Sequence, residues 1–211
     1  MRDERGALKR PLGLRLWLSG SWLTLLFFAA LFAPLIAPKD PLMQDLFLGR
    51  MPPFWVSGAE PGFWLGTDSL GRDVLSRIVY GARLTLIVAF VAGVLTCIIG
   101  ATLGLIAGYY RGWADRLISR FVDIWMAFPP ILFAILLIAV LGPGLFSIIL
   151  AIIIIDWTRF ARVIRAEAMS QGAMDYVASA QVAGRTKLDT MLSEILPNVL
   201  PTIIALLTLE M

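Results

Sequence analysis

Histidine is absent from the 211 residues and cysteine occurs once. Without an imidazole, the chain has no Ser-His or Cys-His dyad and no His-ligated zinc or haem of its own. Cys97 cannot form an intramolecular disulfide, and its place inside an apolar run makes it a small packing residue. No Gly-x-x-x-x-Gly-Lys-Ser/Thr segment occurs, so a P-loop for nucleotide phosphates is missing too. Charge is scarce: 16% of residues are charged against 59% hydrophobic, far from the make-up of a soluble domain. The mean hydropathy of +0.82 belongs to a chain that lives in a bilayer. Lys and Arg exceed Asp and Glu by three, but they are spread among loops with no aromatic-basic stripe, which argues against nucleic acid. No repeat of the first half is visible in the second, which counts against an inverted-repeat secondary transporter.

What is present is a series of apolar runs separated by polar stretches, predicting an all-α polytopic membrane protein with one transmembrane domain over 1–211. A basic tail (1–15) precedes the run 16–37, about 22 residues long and sufficient to span roughly 30 Å of hydrocarbon. A signal peptide is the alternative, but no small-x-small site punctuates the end of the run, and we read it as a retained first span. Residues 38–83 are rich in proline and glycine and form an aqueous loop. Within it, Thr67 or Asp68 can cap a short interfacial helix whose apolar positions are Val74, Leu75, Ile78 and Val79, with Asp73 and Arg77 set to pair four residues apart.

The second span, 84–109, carries Gly100, Gly104 and Gly108 at intervals of four. Such a stripe lets another backbone approach closely; the alternative is glycine simply tolerated in a membrane helix. A short connector over 110–120 leads to span 3 (121–141), which Pro129-Pro130 should kink near its entry. Span 4, 145–166, is the awkward one. Only Leu145 to Ile155 is uninterruptedly apolar, so the helix must continue through Asp156 and Arg159. An intramembrane Asp156–Arg159 ion pair is the favoured reading, and a substrate-facing carboxylate the alternative. By depth, Asp123 and Asp156 are expected near the cytoplasmic mouth.

Five Lys or Arg fall in the tail, three in the 110–120 connector and five in 157–200, against five in 38–83. By the positive-inside rule the amino terminus and the segment 167–199 are cytoplasmic and the 38–83 loop is outside. After Pro201 the run TIIALLTLEM (span 5, beginning at 200) is half the length of a crossing, so further sequence is expected beyond Met211.

The polar segment 157–201 reads as two short amphipathic helices. Met169, Ala173, Tyr176, Val177 and Ala180 line one face of the first; Leu188, Met191, Leu192 and Ile195 line the second. Gly184 between them can take the left-handed conformation that turns the chain, and Pro197 and Pro201 mark its return to hydrocarbon. Such an elbow suits insertion into a partner's groove; lying on the membrane or on its own bundle is the alternative.

The segment resembles the cytoplasmic coupling loop of importer-type ABC permeases. In that family Glu-Ala-Ala is followed after three residues by Gly, then after nine by Ile-x-Leu-Pro. Here Ala178-Ser179-Ala180, Gly184 and Leu196-Pro197 hold the spacing, while Ala178 replaces the glutamate and Glu194 the isoleucine. A second stretch, Trp64 to Leu86, with APKDP and MQDL upstream and PNVLP at Pro197 to Pro201, is similar to the dipeptide, oligopeptide and nickel branch, although Phe63 stands where histidine is common.

The resemblance implies a type I ABC importer permease-like helix bundle in a bacterial or archaeal plasma membrane. It implies an ATPase-coupling loop comprising Asp175, Tyr176, Ala178, Ser179, Ala180, Gly184, Arg185, Leu188, Leu196 and Pro197. The implied partners are a second homologous permease, two ATPase subunits and an extracytoplasmic substrate-binding protein. This chain would be a transport subunit and not an enzyme, with no cofactor or metal of its own, and ATP and Mg would sit on the partner chains. The implied cargo is di- or oligopeptides or related small solutes. Alternatives are a nickel-chelate importer or an exporter on the same scaffold, or, from another class, an ATP-independent pore or membrane assembly factor.

Overall fold

A computed structural model describes residues 13–211; most of the basic tail, including Arg2, Arg5, Lys9 and Arg10, lies outside the described residues. Among the described residues the regular elements are helical, without a named strand. Contacts divide the chain into one unit ending at Ile87 and another starting at Val88, a boundary that falls within a helix.

The first unit begins with α1 (Leu14–Leu31) and α2 (Ala33–Ile36). The expected span 16–37 is therefore interrupted at Phe32. Pro34, which has no N–H to return to Ala30, explains the interruption. The loop that follows is held by side chains. Asp45 accepts from the backbone N–H of Phe47, capping a short 3₁₀ turn over Leu46–Leu48. The Thr67 hydroxyl accepts from Met51 N (2.8 Å) and donates to the Leu48 carbonyl. Gly71 is required there, because with φ +73° it packs so tightly on the Asp45 backbone that no Cβ could fit. Phe63 is buried and provides the ring over which the Lys39 ammonium sits, 3.4 Å from its centroid.

The expected interfacial helix is not a separate element. α3 runs unbroken from Val74 to Tyr110, absorbing it into the second span. Gly81 does not break the helix, and at 37 residues α3 exceeds the about 20 a crossing needs. Its cap is neither Thr67 nor Asp68: Asp73 Oδ2 accepts from the N–H of Ser76 at 2.7 Å. Nor does Arg77 pair with Asp73. Its guanidinium reaches Asp68, which Arg72 also grips at 2.8 Å.

In the second unit the 110–120 connector shrinks to a single break at Arg111, where α4 (Gly112–Met126) starts. α5 (Pro130–Leu141) follows, and the break over Ala127–Pro129 bends the pair by 83°, much more than a kink. Two prolines in succession remove two backbone donors, so the helix cannot carry through. α6 (Leu145–Gln171) is the central element and packs on α4, α5 and α9. The glycine stripe of α3 lies against it. A Cβ on Gly100 would stand 2.5 Å from Phe160 Cβ, on Gly104 2.6 Å from the Ala161 carbonyl, and on Gly108 2.5 Å from the Arg165 carbonyl. Backbone contact of this closeness is what a small-residue stripe permits.

α7 (Asp175–Val182), α8 (Lys187–Thr190), a π turn (Met191–Ile195) and α9 (Leu196–Glu210) complete the unit. Pro197 does not turn the chain: Lys187 to Glu210 is one continuous helix. Pro197 has no N–H to return to the Ser193 carbonyl, and the wider π turn sits at that point; Asn198 Nδ2 adds a bond to the Glu194 carbonyl at 2.7 Å. Among the described residues, Val74–Tyr110 and Lys187–Glu210 are long and apolar enough to cross a membrane, and the bent α4–α5 pair passes if taken as one span. α6 has the length, but Asp156, Arg159 and Arg162 fall within its first two thirds.

Candidate functional site: the elbow between α6 and α9

α6 ends at Gln171, and Gly172 to Met174 form a tight turn before α7. Met169 therefore belongs to α6, not to the elbow's first helix, and the expected stripe is cut short. What anchors α7 is Val177, 1% exposed, which joins Leu105, Ile164, Ala168, Met191, Ile195 and Val199 in one apolar core. Burying a valine contributes about 1.5–3 kcal/mol. Tyr176 packs beside it, and its hydroxyl donates to Gln171 Oε1 at 2.8 Å. Burial and then the neighbouring Glu194 carboxylate push the Tyr176 phenol up from its ordinary value, so it remains a neutral donor.

The turn after α7 is a Schellman arrangement. Gly184 has φ +86°, its N–H donates to the Gln181 carbonyl (3.0 Å), and the Arg185 N–H donates to the Ala180 carbonyl (3.2 Å). No atom crowds Gly184, so the requirement for glycine is conformational and not steric. Thr186 opens the next helix by accepting from the Asp189 N–H at 3.2 Å.

Arg185 then fastens the turn to the helix it precedes. One Nη1 donates to Ser193 Oγ (2.7 Å) and Glu194 Oε1 (3.0 Å), and Nε stands 3.8 Å from Asp189. The two departures from the family pattern thus have different consequences. Glu194 fills the isoleucine position as the acceptor for Arg185, whereas Ala178 leaves a small exposed surface where a carboxylate would project.

The second stripe also splits. Met191 and Ile195 are buried, while Leu188 and Leu192 remain exposed. The outward surface of the elbow therefore carries small or apolar groups, Ala178, Ser179, Val182 (90% exposed), Gly184 and Leu188, interleaved with the exposed polar and charged side chains of Gln181, Arg185, Lys187 and Asp189. Asp175 is exposed at the start of α7, Ala180 and Leu196 are half-buried, and Pro197 is exposed.

The sequence did not reveal how α6 is fixed. Arg159, Arg162 and Arg165 recur every three residues and reach three acids on other helices. Arg159 meets Glu210 at 2.8 Å, Arg162 stands 3.7 Å from Asp123, and Arg165 Nη2 lies 2.9 Å from Asp115 Oδ2. The expected Asp156–Arg159 pair is accordingly not formed; Arg159 turns to α9 instead. Arg111 adds a donor to the Met169 carbonyl at 3.0 Å, near the end of α6. Only the i, i+3 recurrence of arginine pointed this way, and it names no acceptor.

Residues 100–211 match the family model described as "Binding-protein-dependent transport system inner membrane component". The chain is 41% identical over 180 residues to a dipeptide transport system permease protein of Haemophilus influenzae, covering 85% of this chain and 61% of that protein. It is 41% identical over 189 residues to a di/tripeptide transport system permease protein of Pseudomonas aeruginosa, covering 90% and 62%. With an oligopeptide transport system permease protein of Bacillus subtilis it shares 34% identity over 187 residues, covering 89% and 59%. The chain thus spans about three fifths of the length of these relatives.

Proposed function

The chain belongs to the family of binding-protein-dependent transport system inner membrane components, and from that premise we propose that it is a membrane-spanning subunit of an ATP-driven peptide importer. It lines the translocation path with a second, related permease, and its amino terminus is cytoplasmic. Two ATPase subunits hold ATP and Mg on the cytoplasmic side, and an extracytoplasmic binding protein delivers the peptide. Di- and oligopeptides are the proposed cargo because the relatives named above are dipeptide, di/tripeptide and oligopeptide permeases.

The observation that carries this reading is the elbow. It offers an exposed outer surface of small and apolar groups set among charged ones, suited to a groove on a partner, and it is locked to α6 and α9 by the Val177 core and by Arg185. A push on α7 is therefore delivered to α6 and α9 as movement of a packed body, not lost in a slack loop. The α3 glycine stripe extends the contact to a third helix. ATPase closure on the elbow would then tilt these helices and change which side of the membrane the path opens to.

The test is to assemble the full-length protein with a related permease, ATPase subunits and a binding protein from the same organism and measure uptake of a dipeptide into vesicles. ATP-dependent uptake that needs all components is expected. A full-length protein that retains no ATPase subunit in mild detergent and conducts solute without ATP would instead indicate the ATP-independent pore.

A further inference from the structure

We propose that Asp156, at the cavity where α4 breaks from α5, is a subsite for the primary ammonium at the amino end of a transported peptide. The inference rests on the importer reading and adds to it a position and a ligand group.

Asp156 is the twelfth residue of α6, about 18 Å along the helix from the Gly144 turn at 1.5 Å per residue. That places it inside a hydrocarbon layer of roughly 30 Å that begins at the Gly144 turn. A carboxylate held there is unfavourable and is by default functional. Its neighbours are spoken for. Arg159, one turn away, is taken by Glu210, and Arg162 and Arg165 face Asp123 and Asp115. Among the described residues, the Asp156 carboxylate has neither an ion pair nor a hydrogen bond.

The carboxylate lines a cavity of about 110 Å³ together with Trp125, Phe128, Pro130, Phe133 and Arg159, the last with its guanidinium paired to Glu210. The aromatic wall is fixed. Trp125 Nε1 donates to the Ile154 carbonyl at 2.6 Å, and the rings of Trp125 and Phe133 meet edge to face with centroids 5.3 Å apart. With the Arg159 charge offset by Glu210, the Asp156 carboxylate beside indole and phenyl rings is the chemistry that holds a compact ammonium, by charge and by cation–π attraction. The volume fits the end of a peptide and not its length, so side chains beyond the first residue would lie outside the site. That agrees with a path that must release what it binds.

The test uses the full-length complex in vesicles, with alanyl-alanine and N-acetyl-alanyl-alanine as probes competing for uptake. With wild type, the free-amine probe should be preferred; in Asp156→Asn that preference should fall about tenfold or more, the scale of a lost charge-assisted hydrogen bond. Asp156→Glu should restore part of it. Loss of uptake of both probes in equal proportion, or reduced recovery of the complex, would mean that Asp156 pairs with a cation on a neighbouring subunit, and the subsite would be rejected. An unaltered preference would reject it as well, while leaving the importer intact. Wild-type vesicles that import neither probe would overturn both the importer reading and the subsite.

Discussion

Nη1 of Arg185 lies 3.0 Å from Oε1 of Glu194, bridging the Gly184 turn to the helix that returns to the membrane. Both side chains are partly exposed, so the pair contributes about 0.2–1 kcal/mol and orders the turn more than it stabilises the fold. Replacing Glu194 with the family's isoleucine should leave thermal stability within about 1 kcal/mol. Hydrogen exchange at 184–190 should nevertheless quicken, because the turn loses its clasp. A double-mutant cycle with Arg185→Ala measures the coupling directly.

The glycine stripe makes a graded prediction. Gly104→Ala drives a Cβ to 2.6 Å from a backbone carbonyl on α6, and should cost about 1–3 kcal/mol, as overpacking does. At Gly93 the nearest atoms are the ends of Met211 and Leu207 at 3.4–3.6 Å, and Gly93→Ala should be tolerated. Melting of the two variants in detergent should separate them by several degrees.

Arg165 and Asp115 tie α6 to α4 through two hydrogen bonds on partly shielded side chains. Asp115→Ala should lower stability by about 1–3 kcal/mol, the range for a hydrogen-bonded charge left without its partner. Exchanging the two residues should recover part of that loss. If the single variants add with no coupling, the pair does not hold the helices.

Asp68 makes the loop before α3 sensitive to acid. Desolvation opposes its ionisation, but the backbone N–H groups of Arg72 and Leu70 and the Arg72 guanidinium prevail, lowering its carboxyl to about 2 from an ordinary 3.8. Because the folded value is depressed, the stabilisation is complete above about pH 4 and is lost as pH falls through about 2. Proteolysis of the loop should rise over that window. In Asp68→Asn the loop should be cut more readily at neutral pH, and this part of the pH dependence should vanish.

Much of this architecture was legible in the sequence where local rules apply. Glycine at intervals of four marked the face of α3 that meets α6, two adjacent prolines marked the α4–α5 break, and motif spacing found Gly184. Long-range choices were not legible. Asp156 and Arg159 sit three apart on one helix, yet Arg159 pairs with Glu210, fifty-one residues on, because α9 brings that acid alongside. The π turn at Met191–Ile195 has no composition of its own and exists because Pro197 follows, so the proline that reads as a turn lies instead within a continuous helix.

If the Gly184 elbow passes ATPase closure to the membrane helices, as proposed above, the number of peptides imported per ATP hydrolysed depends on the backbone at that turn. Gly184→Val places a β-branched residue at φ +86°, costing roughly 1–2 kcal/mol and deforming the turn, whereas Gly184→Asn tolerates that conformation. With both variants inserted in the membrane and bound to the ATPase, the account predicts a ratio that collapses for valine and stays near wild type for asparagine. A valine variant that imports peptide at the wild-type ratio would contradict it.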